Sequence, residues 1–157
     1  MQDLRIDNEL LLTAPDGFHE LTEDERSKMN MPWAGEWVGI ADPERHIVVT
    51  AGAKKAGLLA GWLLSAKDLA KNMEKQIGGA TASFGYRAEG PTSCLIAGEK
   101  ACGFRYAYEA QGIAMCAESC VIKLRGKICW LHLYAREELR GESFAVWEEI
   151  LSSVRPG

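Results

Sequence analysis

The sequence lacks a concentrated stretch of basic residues. Its 157 residues carry 18 lysines and arginines against 22 aspartates and glutamates, which gives a formal net charge of −4, and the basic residues form neither a run nor an arginine-rich stripe. Nucleic acids and anionic membrane surfaces are bound largely through such patches. We therefore expect no nucleic-acid partner.

The sequence also lacks a long apolar run. The longest apolar stretch, residues 51–64, is interrupted by Lys54 and Lys55 and is too short to span a bilayer. Residues 1–8 are polar and charged, without the basic start and apolar core of a secretory signal. We expect no membrane insertion and a cytoplasmic location.

The five cysteines do not form the even, closely spaced set of a disulfide scaffold. Cys116 and Cys120 lie four apart on one predicted strand, roughly 13 Å at the usual rise per residue. A disulfide needs Cα atoms within about 7 Å. Buried, reduced thiols that serve as small apolar groups are the favoured interpretation.

The strongest positive signal is residues 92–135, which predict four antiparallel strands in succession. The expected turns are Gly98-Glu99-Lys100, Gln111-Gly112 and Arg125-Gly126, each with a glycine where a hairpin reverses. This register places Arg105 opposite Glu118, Tyr106 opposite Ala117, Cys129 opposite Ile122, Trp130 opposite Val121, and His132 opposite Ser119.

Alternation along these strands sorts their side chains into two surfaces. The aromatic face comprises Phe104, Tyr106, Tyr108, Met115, Val121, Ile128, Trp130, His132 and Tyr134. The thiol–aliphatic face comprises Cys116, Cys120, Ile122, Leu124, Cys129, Leu131 and Leu133, interrupted by Arg105 and Glu118. Neither surface is polar enough to face water, so we expect helices to cover both.

The remaining elements fit one α+β domain over residues 1–157. Its sheet is largely antiparallel and ends in the four strands of residues 92–135, which we call the meander. The first half of the chain predicts a short hairpin over residues 5–12, a turn at 14–18, a capped helix from Thr22 to Met29, and a hairpin over 35–50 around Asp42-Pro43-Glu44-Arg45. A helix from Ser65 to Ile77, ended by Gly78-Gly79, is predicted next, followed by a strand over 80–87 and a break at 88–91. A final helix is predicted over 141–154.

Three short segments carry a resemblance to a known superfamily. Residues 10–18 (LLLTAPDGF) look like an opening strand with a proline–glycine–aromatic turn, residues 103–112 like a central hairpin, and residues 150–154 (ILSSV) like a closing helix. Together they resemble the α/β/α sandwich superfamily of the photosystem PsbP subunit, the Ran-binding Mog protein and bacterial DcrB-like proteins. The resemblance implies the fold and an adaptor, accessory or chaperone-like role. No functional residue of those relatives can be transferred.

Possible catalytic and metal constellations are incomplete. Ser119 opposite His132 lacks a strained elbow and an orienting carboxylate, and Cys129 and His132 point to opposite faces of one strand. Gly52 and Gly57 have the spacing of a phosphate loop, but Leu58 and Leu59 stand where that loop needs lysine and a hydroxyl residue. We predict no catalytic site, no metal and no cofactor.

An ion pair between Arg105 and Glu118 is predicted on the thiol–aliphatic face. The structural interpretation is a mutually neutralising pair, and the functional one is a polar anchor in a ligand groove. We favour the structural interpretation.

Two binding hypotheses remain, beside that of an unrecognised enzyme. The first is a non-catalytic module that captures a protein partner through Leu58, Leu59 and Trp62 in the apolar segment 57–64, although entry of this segment into the core is its favoured structural interpretation. The second is a small apolar ligand held between sheet and helix, against the residues Tyr106, Trp130, His132 and Tyr134.

Overall fold

The protein is described by a computed structural model covering residues 1–8, 10–29, 36–55, 57, 64–124 and 126–157. The strands are β1 (Gln2–Arg5), β2 (Leu10–Ala14), β3 (His19–Glu20), β4 (Trp37–Asp42), β5 (Ile47–Lys55), β6 (Arg87–Ile96), β7 (Glu99–Ala110), β8 (Ile113–Leu124), β9 (Lys127–Arg136) and β10 (Arg155–Pro156). The α-helices are α1 (Glu23–Ser27), α2 (Ala66–Ala80) and α3 (Arg140–Ser153), with 3₁₀ turns at Ala82–Phe84 and Glu137–Leu139.

The strands form two antiparallel sheets. A seven-stranded sheet has the order β3-β4-β5-β9-β8-β7-β6, and a three-stranded sheet has the order β1-β2-β10. The second sheet joins the two ends of the described chain, because Arg155 pairs with Leu11 on one side of β2 while Arg5 pairs with it on the other.

The predicted meander is confirmed. Arg105 pairs with Glu118, Ser119 with His132, and Val121 with Trp130. Gln111 and Gly112 both have positive φ, 53° and 80°, as a two-residue hairpin turn of this hand requires. These pairings fix which side chains share a face.

Both faces of the seven-stranded sheet are covered, as predicted. The thiol–aliphatic face packs with α3 and the three-stranded sheet into the main core, which includes Leu10, Leu12, Cys116, Cys120, Ile122, Cys129, Leu131, Leu133, Trp147 and Ile150. On the aromatic face, α2 buries Ala70 against Val121 and Ile128, and Ile77 against Phe104 and Tyr106. The α+β sandwich expected from the sequence is therefore confirmed.

The predicted helix starts are also confirmed. Thr22 and Ser65 both form capping boxes, with the N3 residues Glu25 and Asp68 returning the hydrogen bond to the cap backbone. The hairpin of β4 and β5 turns at Asp42, whose carboxylate accepts from the backbone N–H groups of Glu44 and Arg45 at 3.0 and 3.2 Å.

The chain between α2 and β7 differs from the sequence prediction. Helix α2 passes through Gly78-Gly79 to Ala80, because Ile77 anchors its last turn in the aromatic cluster and the Thr81 N–H caps the Ile77 carbonyl at 2.9 Å. The strand expected over 80–87 is a 3₁₀ turn that ends at Gly85, where φ is 72°.

The break expected at 88–91 is also wrong. These residues belong to β6, whose pairing with β7 shifts between Ala88 and Gly90 in a β-bulge. Gly90 supplies φ of 118°, and Pro91 is tolerated because β6 is an edge strand with one side unpaired. The β6–β7 turn is Ala97-Gly98, so Glu99 and Lys100 are strand residues rather than the expected turn residues.

Candidate functional site

The thiol–aliphatic face holds a buried polar cluster around Glu118. Glu118 lies in β8 and is 4% exposed. Arg105 Nε donates a hydrogen bond to its Oε1 at 2.6 Å, and Trp147 Nε1 donates one to its Oε2 at 2.5 Å. The Cys120 thiol lies 3.5 Å from the same Oε2. The predicted pairing of Arg105 with Glu118 is confirmed in register and contact. Trp147 of α3 is a further partner of Glu118 that sequence spacing did not reveal.

Aromatic packing fixes the guanidinium of that cluster. Arg105 lies 4.0 Å from the ring centroid of Phe144 in α3, a geometry that favours a cation over the ring face. Arg140 lies 5.6 Å from the centroid of the same ring and binds both Glu89 and Glu137 at 2.7 Å. These carboxylates raise the pKa of Arg140 above its ordinary value. The charges of this region thus neutralise one another.

The aromatic face holds a layer of rings centred on Tyr106. The Tyr106 hydroxyl lies 2.7 Å from His132 Nε2, and His132 stacks on Tyr134 with ring centroids 4.4 Å apart. Tyr86 and Tyr108 pack on Tyr106 at 5.4 and 5.7 Å. Three of the four predicted ligand-binding residues therefore contact one another.

Burial determines the protonation of this layer. It lowers the pKa of His132 from its ordinary 6.5 to about 3, so the imidazole is neutral at pH 7. Burial likewise raises the pKa of Tyr108 to about 12 and that of Tyr134 beyond its ordinary range. The layer is uncharged near neutral pH, and the Tyr106 hydroxyl and His132 Nε2 form a hydrogen bond within it.

Ser119 and His132 face each other across β8 and β9 as the register predicted, but their side chains form hydrogen bonds with different residues. The Ser119 hydroxyl donates to the Met73 sulfur at 3.0 Å, whereas the His132 ring contacts Tyr106. Across the described ranges, no group of three or more histidine, cysteine, aspartate and glutamate side chains is arranged to hold a metal ion.

The thiols of Cys94 and Cys120 meet across β7. The five cysteines are free, and hydrogen bonding with Cys120 lowers the pKa of Cys94, whereas the same contact together with burial raises that of Cys120. The Cα atoms of Cys94 and Cys120 lie on β6 and β8 with β7 between them, so these atoms are about 10 Å apart, farther than the Cα separation of a disulfide.

Two grooves flank α2 on the aromatic face. The larger, which we name the α2–β6 groove, measures about 580 Å³ and is lined by Lys67, Ala70, Lys71, Glu74, Pro91, Thr92, Ser93, Lys100, Cys102, Gly103 and Phe104. Its walls are α2 on one side and the edge of the sheet on the other, over an apolar floor that contains Phe104. Sequence reasoning missed it because its residues come from three separated segments.

The smaller groove, the α2–β9 groove, lies on the opposite side of the helix. It measures about 330 Å³ and is lined by Lys54, Leu69, Asn72, Met73, Lys75, Gln76, Val121, Ile128 and Trp130. Trp130 is thus the one of the four predicted ligand-binding residues that lines this groove.

The predicted partner-binding residues Leu58, Leu59 and Trp62 lie outside the described residues. On the C-terminal side of that segment, the Leu64 carbonyl accepts a hydrogen bond from Lys123 Nζ at 2.8 Å. No helix among the described residues has the length and apolarity needed to cross a membrane.

Comparisons with known proteins identify the fold. No protein-family model matches the chain, and no curated protein matches it by sequence. It is similar to the solution structure of cyanobacterial PsbP (CyanoP) from Synechocystis, with a TM-score of 0.68 and 14% identity over 94% of this chain and 86% of that chain. It is also similar to LpqN of Mycobacterium tuberculosis, which is involved in cell envelope biogenesis, with a TM-score of 0.59 and 17% identity over 94% and 82% of the two chains.

A third similar structure is a longer protein from Bacteroides thetaiotaomicron. The TM-score is 0.59 at 10% identity, and the match covers 94% of this chain but 45% of that one. At such identities a likeness shows shared architecture and leaves activity open. The seven-stranded sheet with α2 and α3 on its two faces is a PsbP-like fold.

Proposed function

We propose that the chain is a non-catalytic accessory domain that binds a protein partner. One observation carries this proposal: the Glu118 cluster and the Tyr106–His132 pair are engaged within the protein, whereas the α2–β6 groove opens at the sheet edge. The buried Glu118 carboxylate on the thiol–aliphatic face already accepts hydrogen bonds from Arg105, Trp147 and Cys120. An open recess beside an exposed strand is a common way to recognise another chain.

The similar structures support an accessory role without specifying it. One of them, LpqN, is involved in cell envelope biogenesis, and another is a cyanobacterial PsbP. Proteins that share a fold and work in different settings fit a scaffold whose surface is adapted to different partners. The cytoplasmic location expected from the sequence stays a prediction.

Site-specific photocrosslinking in source cells tests the proposal. A photoreactive amino acid at Ser93 or at Lys71, both exposed in the groove, should yield an adduct with one protein. The same amino acid at exposed Glu149 on α3 is the matched control and should not. A further position, Trp62, tests the predicted partner-binding segment. Adducts that are equally strong at all positions, or absent from all, would contradict the proposal.

A second candidate function is the binding of a small apolar ligand in the α2–β9 groove. The supporting observation is its floor of Val121, Ile128 and Trp130 beneath Met73, within a volume that suits a small molecule. Ligand binding should quench or shift Trp130 fluorescence, and Trp130→Leu should abolish the signal. Native mass spectrometry of protein from source cells would show a bound small molecule directly.

A further inference from the structure

Strand β6 is the long exposed edge of the seven-stranded sheet. The opposite edge, β3, has two residues, whereas β6 has ten and, among the described strands, pairs with β7 alone. An edge strand presents unpaired N–H and C=O groups along its outer side. Such a row can accept an additional strand from another chain.

The two halves of β6 differ in how they are protected. The first half carries the bulge at Gly90 and then Pro91, both of which discourage pairing with another strand. The second half, Thr92–Ile96, has no proline, glycine or charged residue. Within it Leu95 is 71% exposed, which is unusual for a large apolar side chain on a strand. The unprotected half is therefore uncharged, exposes one large apolar side chain, and has no described strand paired to its outer side.

The α2–β6 groove runs beside this unprotected half. Ser93 pairs with Cys102 and Leu95 with Lys100, so both point to the side of the sheet on which α2 lies. A strand added to β6 would direct every second side chain to that same side. Its backbone would pair with β6 while alternate side chains entered the groove.

The charge of the groove is opposite to that of the whole chain. Three lysines, Lys67, Lys71 and Lys100, line it with the single acidic residue Glu74, although the net charge of the chain is −4. Within the described parts of the chain, no carboxylate lies within 4 Å of any of the three ammonium groups in an ion pair. The groove therefore favours acidic side chains in its occupant.

We propose that β6 recruits an extended acidic segment of a partner protein as an additional strand, with alternate carboxylates reaching Lys67, Lys71 and Lys100. This inference rests on the proposed function and specifies the class of partner. A second copy of the chain fits less well, because its own residues 91–96 are uncharged. Two copies paired through β6 would bring like-charged lysines together without supplying carboxylates.

The test uses a synthetic peptide of alternating glutamate and valine, long enough to span β6, and a matched peptide of alternating lysine and valine. Fluorescence anisotropy at low ionic strength should show saturable binding of the acidic peptide only, weakened by added salt. Hydrogen exchange should show newly slowed amides in Thr92–Ile96 and none in β3, since pairing protects the outer N–H groups of β6.

Two variants on the same helix give a matched comparison. Lys71→Glu should weaken binding of the acidic peptide by roughly tenfold, because an attraction becomes a repulsion at a partly screened site. Lys75→Glu makes the same change at an exposed lysine of the α2–β9 groove and should leave the affinity within roughly twofold. Both residues are exposed, so both variants should fold, which circular dichroism checks.

Three outcomes would overturn the inference. They are absence of binding by the acidic peptide, binding without protection of β6, and equal effects of the two variants. A dimer whose β6 amides are already slowed without peptide would also overturn it by assigning the edge to a second copy. None of these would disprove a protein partner, because an adduct at Ser93 or Lys71 reports a partner at the groove whether or not that partner is acidic or pairs with β6, so the two failures are distinguishable.

Discussion

The two faces of the seven-stranded sheet are built from the same strands but differ in how they are covered. On the thiol–aliphatic face, α3 and a second sheet enclose the core, and Trp147 is 0% exposed. On the aromatic face, α2 lies between two grooves, and Tyr108 and Tyr134 remain partly exposed. The comparison teaches that the thiol–aliphatic face contains the larger enclosed core, whereas the aromatic face carries the two grooves beside α2.

The largest effect is expected from Glu118→Ala on the enclosed face. Removing this carboxylate leaves the buried Trp147 N–H and the Arg105 guanidinium without their acceptor, which should lower the free energy of unfolding by about 3–5 kcal/mol. Urea denaturation measures this. The adjacent variant Ser119→Ala, on the aromatic face, loses a single contact to the Met73 sulfur and should cost about 1 kcal/mol or less. Equal losses would contradict the asymmetry.

A smaller and more local effect is expected from Ile77→Ala in α2. This side chain is 2% exposed, and its truncation should cost about 2–4 kcal/mol. If the two faces are energetically distinct, hydrogen exchange should accelerate in α2 and remain unchanged in α3. Gln76→Ala, one position earlier and exposed, is the control. Uniform acceleration in both helices would show that the faces unfold as one unit.

The neutral histidine of the aromatic layer should make stability depend on pH. Burial lowers the pKa of His132 to about 3, so between pH 6.5 and pH 3 the unfolded chain binds a proton that the folded protein does not. Stability therefore falls as the pH falls through this window, by up to about 1.4 kcal/mol per pH unit. His132→Gln should remove this contribution.

The measurement is the difference in unfolding free energy between His132→Gln and the parent at several pH values. The difference should move in favour of the variant as the pH decreases from 6.5. His46→Gln, at an exposed turn, should leave the profile of the parent unchanged. A pH-independent difference for His132→Gln would contradict a neutral buried imidazole.

The smallest effect is expected from glycines at the end of α2. Gly79 is helical and exposed, and a β-carbon added there would meet nothing within 4 Å, so Gly79→Ala should stabilise the protein by about 0.5–1 kcal/mol. Gly85 has φ of 72°, and Gly85→Ala should destabilise it because alanine disfavours that conformation. Thermal unfolding distinguishes the two signs. Destabilisation by Gly79→Ala would contradict a helix that includes Gly79, and stabilisation by Gly85→Ala would contradict a left-handed residue at that position.

The meander could be predicted because the residues that determine its turns and register are close together in the sequence. Gln111-Gly112 fixes one turn, and once that turn is fixed, alternation assigns every side chain of β7 and β8 to a face. The pairing of Arg105 with Glu118 follows directly. The capping boxes at Thr22 and Ser65 were predictable for the same reason, since each lies within four residues.

The parts that could not be predicted depend on distant residues. Gly78-Gly79 is a helix-ending signal in isolation, but burial of Ile77 in the aromatic cluster carries α2 past it. The bulge at Gly90 is set by pairing with β7 rather than by its neighbours in sequence. The α2–β6 groove and the Trp147 contact with Glu118 likewise arise only when separated elements meet.

The pairing of β2 with β10 has a consequence for biosynthesis. The Thr13 N–H bonds the Ser153 hydroxyl at 2.9 Å across 140 positions of sequence, and Leu10 and Leu12 lie in the core beside α3. While the ribosome is still making the meander, those leucines have no α3 to cover them. Co-translational folding must therefore leave the packing of this hairpin unfinished until α3 and β10 emerge from the exit tunnel.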